Sequence, residues 1–260
     1  MAWRLSLFAA AVVASFAALA TAEAIRPQDK KSGFDFMAPA TQAMQQDDLG
    51  NPGMLAIAEG ESLWQARDNP AGTACAGCHG EAPRSMKGAA IRYPRIDKSS
   101  GRLIDLQGRI NLCREKRQQA PSFAYESAEL VALTAYVAHQ SRGMTITSPA
   151  DAELDPHVTN GKHLFERRFG QLGLSCAACH DARWGQRLGG SIIPQAHPTA
   201  YPLYRLEWQR LGSLGRRLRN CMIGMRAEPF PHGAPEMIEL ELYLMSRASG
   251  LPIETPGVRP

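Results

Sequence analysis

The chain has 260 residues, a formal net charge of +4 and a hydrophobic share of 44%. This charge is too small to indicate nucleic-acid binding, and no segment beyond the first two dozen residues is apolar enough to span a bilayer. The length suits one large domain or two small ones. We therefore expect a globular protein whose function depends on local motifs.

The first 24 residues have the pattern of a secretory signal peptide. A short basic start ending at Arg4 precedes an apolar run over 5–20, and small residues at Ala22 and Ala24 offer a cleavage site. An uncleaved membrane anchor is the alternative, but the run is short for a spanning helix and polar residues follow it at once. We expect the mature protein to be exported.

Two Cys-x-x-Cys-His pentapeptides dominate the rest of the sequence. In this pattern the two cysteines attach a haem by thioethers and the histidine ligates its iron. A chance match or half of a zinc site is the competing interpretation, and the duplication disfavours it. Covalent haem attachment to an exported chain with reduced thiols indicates a bacterial periplasm. We predict two haem c groups, held by Cys75, Cys78, His79, Cys176, Cys179 and His180.

An internal repeat divides the chain. Gly60 and Gly161 each lie 15 residues before the first cysteine of a pentapeptide, so the halves are offset by 101 residues. Further on, two Tyr-Pro pairs each lie 20 residues before a single cysteine, and the offset there is 108. Seven residues are therefore inserted in the second half, near 184–193. This pattern indicates duplication of one haem-binding unit. The pairs are Tyr93-Pro94 and Tyr201-Pro202, and the cysteines are Cys113 and Cys221.

The predicted fold is mainly α, with two tandem class I cytochrome c-like domains. We place an arm at 25–49, a first unit at 50–148 and a second unit at 149–260. Ser127 is predicted to cap the closing helix of the first unit, and Pro235 to open that of the second. No strand pattern persists. The arm is expected to wrap a neighbour or to stay mobile.

Cys113 and Cys221 remain once four cysteines are used for thioethers. Their equivalent positions in the two units favour one distal iron ligand from each. A disulfide between them is the alternative that suits an exported protein. Methionine ligation at Met222 or Met225 has no counterpart in the first unit. Bis-histidine ligation would use histidines that are not repeated in register, namely His139, His157, His163, His197 and His232.

Two arginines stand in register with these cysteines. Arg109 lies four residues before Cys113 and Arg217 four before Cys221, a spacing that puts both side chains on one helix face. A guanidinium there would stabilise a sulfur anion or bind an oxyanion by paired hydrogen bonds. Arg247 on the last helix is a second candidate. A solvated face is the plainer interpretation of the arginine cluster as a whole.

With these motifs the chain resembles SoxA, the dihaem subunit of the SoxAX cytochrome of bacterial thiosulfate oxidation. The resemblance rests on two haem motifs, each followed by Arg-x-x-x-Cys, and on the stretch Arg-Leu-Arg-Asn-Cys-Met-Ile-Gly-Met-Arg-Ala over 217–227. It implies His79 and Cys113 as axial ligands of one iron, and His180 and Cys221 of the other. It further implies a persulfide at Cys221 as catalytic residue. Arg217 would bind substrate, with Arg247 as a weaker candidate.

The resemblance also implies L-cysteine S-thiosulfotransferase activity. Thiosulfate would be coupled oxidatively to a cysteine of the carrier SoxY in the SoxYZ complex. Electrons would pass to the monohaem partner SoxX in a heterodimer, and then to a soluble cytochrome c. Two other functions remain open. A dihaem electron-transfer cytochrome would need no substrate pocket, and a dihaem peroxidase would need a displaceable distal ligand, against which the duplicate cysteines argue.

Overall fold

The structure, a computed structural model, describes residues 25–148 and 151–260; the predicted signal peptide lies outside the described residues. Both units run through the same order of elements: a long helix, a short helix carrying the pentapeptide, a β-hairpin, a second long helix and a closing helix. The first unit, preceded by α1 (Pro39–Gln46), comprises α2 (Gly53–Gln65), α3 (Cys75–His79), α4 (Ala82–Ser85), β1 (Arg95–Asp97), β2 (Arg102–Ile104), α5 (Leu106–Arg117) and α6 (Ala128–His139).

The second unit repeats this order with an additional hairpin after the pentapeptide. That hairpin lies within the predicted seven-residue insertion. The elements are α7 (Asp155–Glu166), α8 (Cys176–His180), β3 (Arg187–Leu188), β4 (Ser191–Ile192), β5 (Leu203–Arg205), β6 (Arg210–Gly212), α9 (Leu214–Gly224), α10 (Pro235–Arg247) and β7 (Gly257–Arg259).

In each unit the first long helix crosses the closing helix at a glycine. α2 packs on α6 and α7 packs on α10. A Cβ atom at Gly60 would collide with the carbonyl of Ala132, and one at Gly161 with the carbonyl of Glu239. Because only glycine lets the two backbones approach this closely, the repeated glycines of the sequence mark the same helix crossing twice.

The closing helices begin where the sequence predicts. The Ser127 hydroxyl accepts a hydrogen bond from the Leu130 N–H at the start of α6, and Pro235 is the first residue of α10. Residues 130–138 are all buried, as are Met237, Leu240 and Leu244. Burial of these apolar helices supplies much of the core of each unit.

The strands were not predicted. β1 and β2 pair as an antiparallel hairpin that sets Asp97 opposite Arg102, and β5 and β6 do the same with Arg205 opposite Arg210. β7 adds to β5 in parallel. Each strand has two or three residues, which is too short for a period of two to be seen in the sequence.

The arm differs from the sequence-based expectation, because it lies on the second unit of its own chain. The backbone N–H of Lys31 donates to the Gln195 side chain at 2.7 Å, and the Val258 N–H donates to the side chain of Gln45 at 3.0 Å. Such buried polar groups need these partners, so the arm is held in place. Among the described residues, no helix has the length and apolarity to cross a membrane.

Candidate active site

The second pentapeptide forms a short capped helix. The Ser175 hydroxyl accepts a hydrogen bond from the Ala178 N–H, so α8 begins at Cys176. At its end the Nδ1 of His180 lies 2.6 Å from the Pro194 carbonyl oxygen. Since a carbonyl only accepts, Nδ1 carries the proton and Nε2 keeps a free lone pair for a metal.

Cys221 faces this histidine from α9. Ser213 caps that helix by accepting from the Arg216 N–H, and Arg217 lies one turn before Cys221 on the same face. His180, Arg217 and Cys221 line one cavity of about 340 Å³. Burial alone would raise the pKa of the Cys221 thiol, but the proximity of His180 and the charges of Arg217 and Arg205 leave that pKa below its ordinary value.

The residues around this cavity fit a haem c. Cys176 and Cys179 stand on α8 beside it, and the free Nε2 of His180 and the sulfur of Cys221 are donors suited to the two axial positions of a haem iron. Leu218 is among the apolar residues of the wall, which also include Leu214, Leu244, Pro198 and Ala200. The donor set and the apolar wall are those that a covalently attached haem requires.

The first pentapeptide has the same donors in a more open setting. The His79 ring packs against Trp64, with ring centroids 5.7 Å apart, and the Trp64 Nε1–H donates to the Gly80 carbonyl at 3.0 Å. Both Cys78 and His79 are exposed. Cys113 on α5 lies near the pentapeptide cysteines, and burial raises the pKa of its thiol despite the nearby arginines. These residues fit a second haem c.

The two register arginines, Arg109 and Arg217, each lie four residues before a cysteine and differ in their partners. Arg109 forms an ion pair with Asp97, whose side chain is 4% exposed, and donates to the Tyr93 hydroxyl at 3.2 Å. Arg217 has no ion-pair partner among the described residues and lines the cavity beside Cys221. The arginine of the first unit is therefore neutralised, whereas that of the second unit is available to an anion.

Comparison with known proteins agrees with this geometry. The profile of the family described as SoxA/TsdA, cytochrome c domain, matches residues 59–146 and 160–253. The chain belongs to this family. An L-cysteine S-thiosulfotransferase subunit SoxA from Rhodovulum sulfidophilum is 35% identical over 229 residues, which cover 88% of this chain and 80% of that protein. The subunit of the same name from Paracoccus pantotrophus is 32% identical, covering 88% of this chain and 78% of that protein.

A solved structure agrees as well. The crystal structure of SoxXA from P. pantotrophus has a TM-score of 0.86 and 31% identity, and the match covers 89% of this chain and 87% of that one. The prediction of a mainly helical SoxA-type protein with two cytochrome c-like domains is therefore confirmed. The prediction of a thiosulfotransferase is confirmed at the level of the family, because these relatives carry that name.

In this SoxA-family chain Arg247 lies beside the second pentapeptide but outside the Cys221 cavity. Its Nη2 donates to Asp181 at 2.6 Å and to the Gln195 carbonyl at 3.2 Å, and its guanidinium lies 4.5 Å from the centre of the Phe165 ring. Among the described residues that line the Cys221 cavity, Arg247 is absent. These contacts favour a role for Arg247 in holding Asp181, and with it the end of the pentapeptide, rather than in binding substrate.

The residues considered as alternatives to Cys113 and Cys221 for binding iron have other contacts. All six cysteines are free, so no disulfide joins Cys113 to Cys221, and each lies beside its own pentapeptide. Met222 and Met225 are buried. His197 lines the cavity, where burial lowers its pKa to about 4 and its Nδ1 lies 2.7 Å from the Lys31 carbonyl.

Sequence reasoning missed Arg205, which also lines the Cys221 cavity. It ends β5, at the position equivalent to Asp97 at the end of β1. The offset of 108 residues relates the two positions, so aligning the halves residue by residue would have exposed the exchange of an aspartate for an arginine. The exchange matters because Asp97 pairs with Arg109, whereas an arginine at the equivalent position cannot pair with Arg217.

Proposed function

We propose that this chain is the haem-dependent subunit of an L-cysteine S-thiosulfotransferase, which couples thiosulfate to a cysteine of a carrier protein. The observation that supports this most directly is the shared cavity of Cys221 and Arg217 at the end of a haem motif. A sulfur atom beside an unpaired guanidinium is the arrangement that a sulfur oxyanion substrate needs. The names of the relatives support the same activity.

Two haem c groups are part of this proposal. Cys75 and Cys78 would attach the first, and His79 and Cys113 would bind its iron. Cys176 and Cys179 would attach the second, and His180 and Cys221 would bind its iron. When bound, these groups supply an acceptor for electrons released in the coupling. A thiolate ligand donates charge to iron and lowers its reduction potential.

The coupling is an oxidation, since both partners are nucleophilic anions. A carrier thiolate and thiosulfate, with three negative charges between them, give a carrier-bound S–S–SO3⁻ group with one negative charge and release two electrons. In the first step the sulfane sulfur of thiosulfate bonds to the sulfur held at Cys221 as both electrons leave. In the second, the carrier thiolate attacks the sulfane sulfur and displaces the Cys221 sulfur unchanged.

The residues of the cavity have separate roles in this scheme. The sulfur at Cys221, as thiolate or as persulfide, is the nucleophile. Arg217 binds the sulfonate end of thiosulfate and thereby points the sulfane sulfur at Cys221. Burial of the cavity keeps water from competing with the carrier cysteine. Although burial opposes the charge of Arg217, the neighbouring Cys221 and Tyr201 hold its pKa above the ordinary value.

The proposal includes partners and a location. The match to a SoxXA crystal structure supports a monohaem SoxX partner in a heterodimer. The carrier would be SoxY of the SoxYZ complex, and a soluble cytochrome c would take the electrons. The signal-peptide pattern over 1–24 supports a periplasmic protein.

Intact-mass analysis and a coupling assay on the holoprotein with its partner test the proposal. We expect the mass of the mature chain with two haems, and an extra sulfur on the Cys221 peptide. Cys221→Ala is expected to keep both haems and to lose coupling. Ile223→Ala is the matched control and should retain coupling, because Ile223 is exposed on the same helix and does not line the cavity. Full turnover by Cys221→Ala would exclude this mechanism.

The alternative is a dihaem electron-transfer cytochrome without substrate chemistry. It predicts that the wild-type protein passes electrons but couples no thiosulfate, and that Arg217→Gln changes nothing. Arg109 is paired with Asp97, so the helix that carries Arg-x-x-x-Cys forms without an unpaired arginine in the first unit. The coupling assay with the wild-type protein decides between the two functions.

A further inference from the structure

The cavity around Cys221 is lined by positive side chains without negative ones. Among the described residues that line it there are four arginines and no aspartate or glutamate. Arg259 is held by Glu254 and Gln45, and Arg187 is exposed on the additional hairpin. The other two arginines, Arg205 and Arg217, are the ones whose charges act on Cys221.

Arg205 is buried and only partly paired. Its side chain is 11% exposed, and its Nη2 lies 2.8 Å from a carboxylate oxygen of Glu207, which is itself 61% exposed. The Nε of Arg205 is buried without a hydrogen-bond partner among the described residues. A buried guanidinium donor without an acceptor is costly, so this atom needs a partner that the protein alone does not supply.

The two arginines also act on each other. Burial and the nearby charge of Arg217 lower the pKa of Arg205, although an arginine stays charged at neutral pH. Two like charges held together in a cavity of low polarity repel, and an anion between them relieves that repulsion. Thiosulfate, with two negative charges, can satisfy both.

In the first unit the position equivalent to Arg205 is occupied by Asp97. Its carboxylate pairs with Arg109, so neither group keeps an unpaired charge that could bind an external anion. The exchange of aspartate for arginine at this one position converts an internal ion pair into two positive charges. Within its own hairpin Arg205 contacts only the turn, where it pairs with exposed Glu207 and lies 5.2 Å from the centre of the Trp208 ring.

We propose that Arg205 is a second anion-binding residue of this site, which holds the sulfonate of thiosulfate together with Arg217 and makes the site selective for doubly charged sulfur oxyanions. This inference rests on the proposed function. The carboxylate of a haem propionate is the other oxyanion that Arg205 could hold, and the experiment distinguishes the two.

The test compares variants of the holoprotein in its complex, with thiosulfate and a carrier protein as substrates. Arg205→Gln is expected to raise the KM for thiosulfate about tenfold or more, with kcat changed by less than about twofold. Arg210→Gln is the matched control, because Arg210 is an exposed arginine on the neighbouring strand. Methanethiosulfonate, with a single charge, should show a smaller change in KM than thiosulfate.

A second variant removes the partner of Arg205 instead. Glu207→Gln alters an exposed side chain and is expected to lower the KM for thiosulfate about twofold, because the charge of Arg205 is then unopposed. An unchanged or higher KM in this variant would overturn the inference even if Arg205→Gln does not accumulate.

Two further results separate the explanations. If Arg205→Gln shifts the potential or spectrum of the second haem while KM for thiosulfate stays at the wild-type value, Arg205 holds a propionate and the inference is wrong. If the wild-type protein couples no thiosulfate, the proposed function fails. If it couples thiosulfate and both variants leave KM unchanged, only the role of Arg205 fails.

Discussion

The two units of this chain share one scaffold and differ in the charge beside the ligand cysteine. Each has the helix crossing at a glycine, a hairpin, and an Arg-x-x-x-Cys on a capped helix. In the first unit Asp97 neutralises Arg109; in the second, Arg205 stands where the aspartate was. The two units keep the same backbone, and a few side chains distinguish a unit with a paired arginine from one whose arginine lines a cavity.

The cysteines respond to this difference. For Cys113 burial prevails over the charges of Arg109 and Arg117 and raises the pKa of the thiol. For Cys221 the proximity of His180 and the charges of Arg217 and Arg205 prevail over burial, and the pKa falls. An anionic sulfur is the better nucleophile, which agrees with the catalytic role proposed for Cys221.

The largest expected effect concerns an ion pair that the first unit lacks. Arg247→Gln places glutamine where the first unit has Gln140, four residues after a tyrosine. It leaves Asp181, whose side chain is 12% exposed, without its partner. We expect a loss of about 4 kcal/mol in the free energy of unfolding. Denaturant unfolding measures it. The KM for thiosulfate should not change in the folded protein, and a rise in KM would instead indicate substrate binding by Arg247.

The helix crossings should respond alike in both units. Gly60→Ala and Gly161→Ala each force a methyl group into a backbone carbonyl, and we expect each to lower the free energy of unfolding by about 3 kcal/mol. Thermal unfolding of the two variants measures this. Gly224→Ala is a control for glycine replacement without a collision, since nothing lies within 4 Å of its Cβ position and its φ is not positive. Unequal effects at the two crossings would show that the units do not share their packing.

The register arginines should respond differently. Arg217→Gln is expected to lower kcat/KM for thiosulfate about 100-fold, because charged hydrogen bonds to the sulfonate are lost. Arg109→Gln should leave kcat/KM unchanged and lower the free energy of unfolding, because it removes the partner of buried Asp97. Steady-state kinetics and denaturant unfolding of both variants provide the comparison. Equal kinetic effects would mean that the first unit also takes part in substrate binding.

The smallest expected effect is a pH dependence that belongs to the first unit. Asp105 caps α5 where the second unit has Ser213, and burial raises the pKa of Asp105 to about 6. Burial and Asp105 also raise the pKa of Glu241 on α10, and the neighbouring titratable or charged groups include Tyr125, Arg102 and His232.

These shifts have a definite sign. A carboxyl with a raised pKa in the folded state stabilises the fold below its unfolded pKa, and this contribution is lost as pH rises through about 6. Asp105→Ser keeps a cap and should be more stable than the wild type by about 2 kcal/mol at pH 8, with little gain at pH 4. Thermal unfolding across this pH range checks it. A gain that is independent of pH would point to packing.

Local patterns explain what the sequence could predict. The pentapeptides, the cap at Ser127, Pro235 at a helix start and the four-residue spacing from Arg217 to Cys221 all depend on residues close in the chain. The hairpins and the packing of the arm could not be predicted, because two- and three-residue strands carry no period and the arm depends on distant partners such as Gln195. The role of Arg205 also depends on a distant side chain.

The wall of the Cys221 cavity is assembled from distant parts of the chain. Phe36 and Met37 of the arm and Arg259 at the end of β7 all line it, while the haem-binding pentapeptide lies between them in sequence. The cavity is therefore complete only when the arm and β7 are both packed on the second unit. A local opening at either place would expose Cys221 to solvent without any change in the residues beside it.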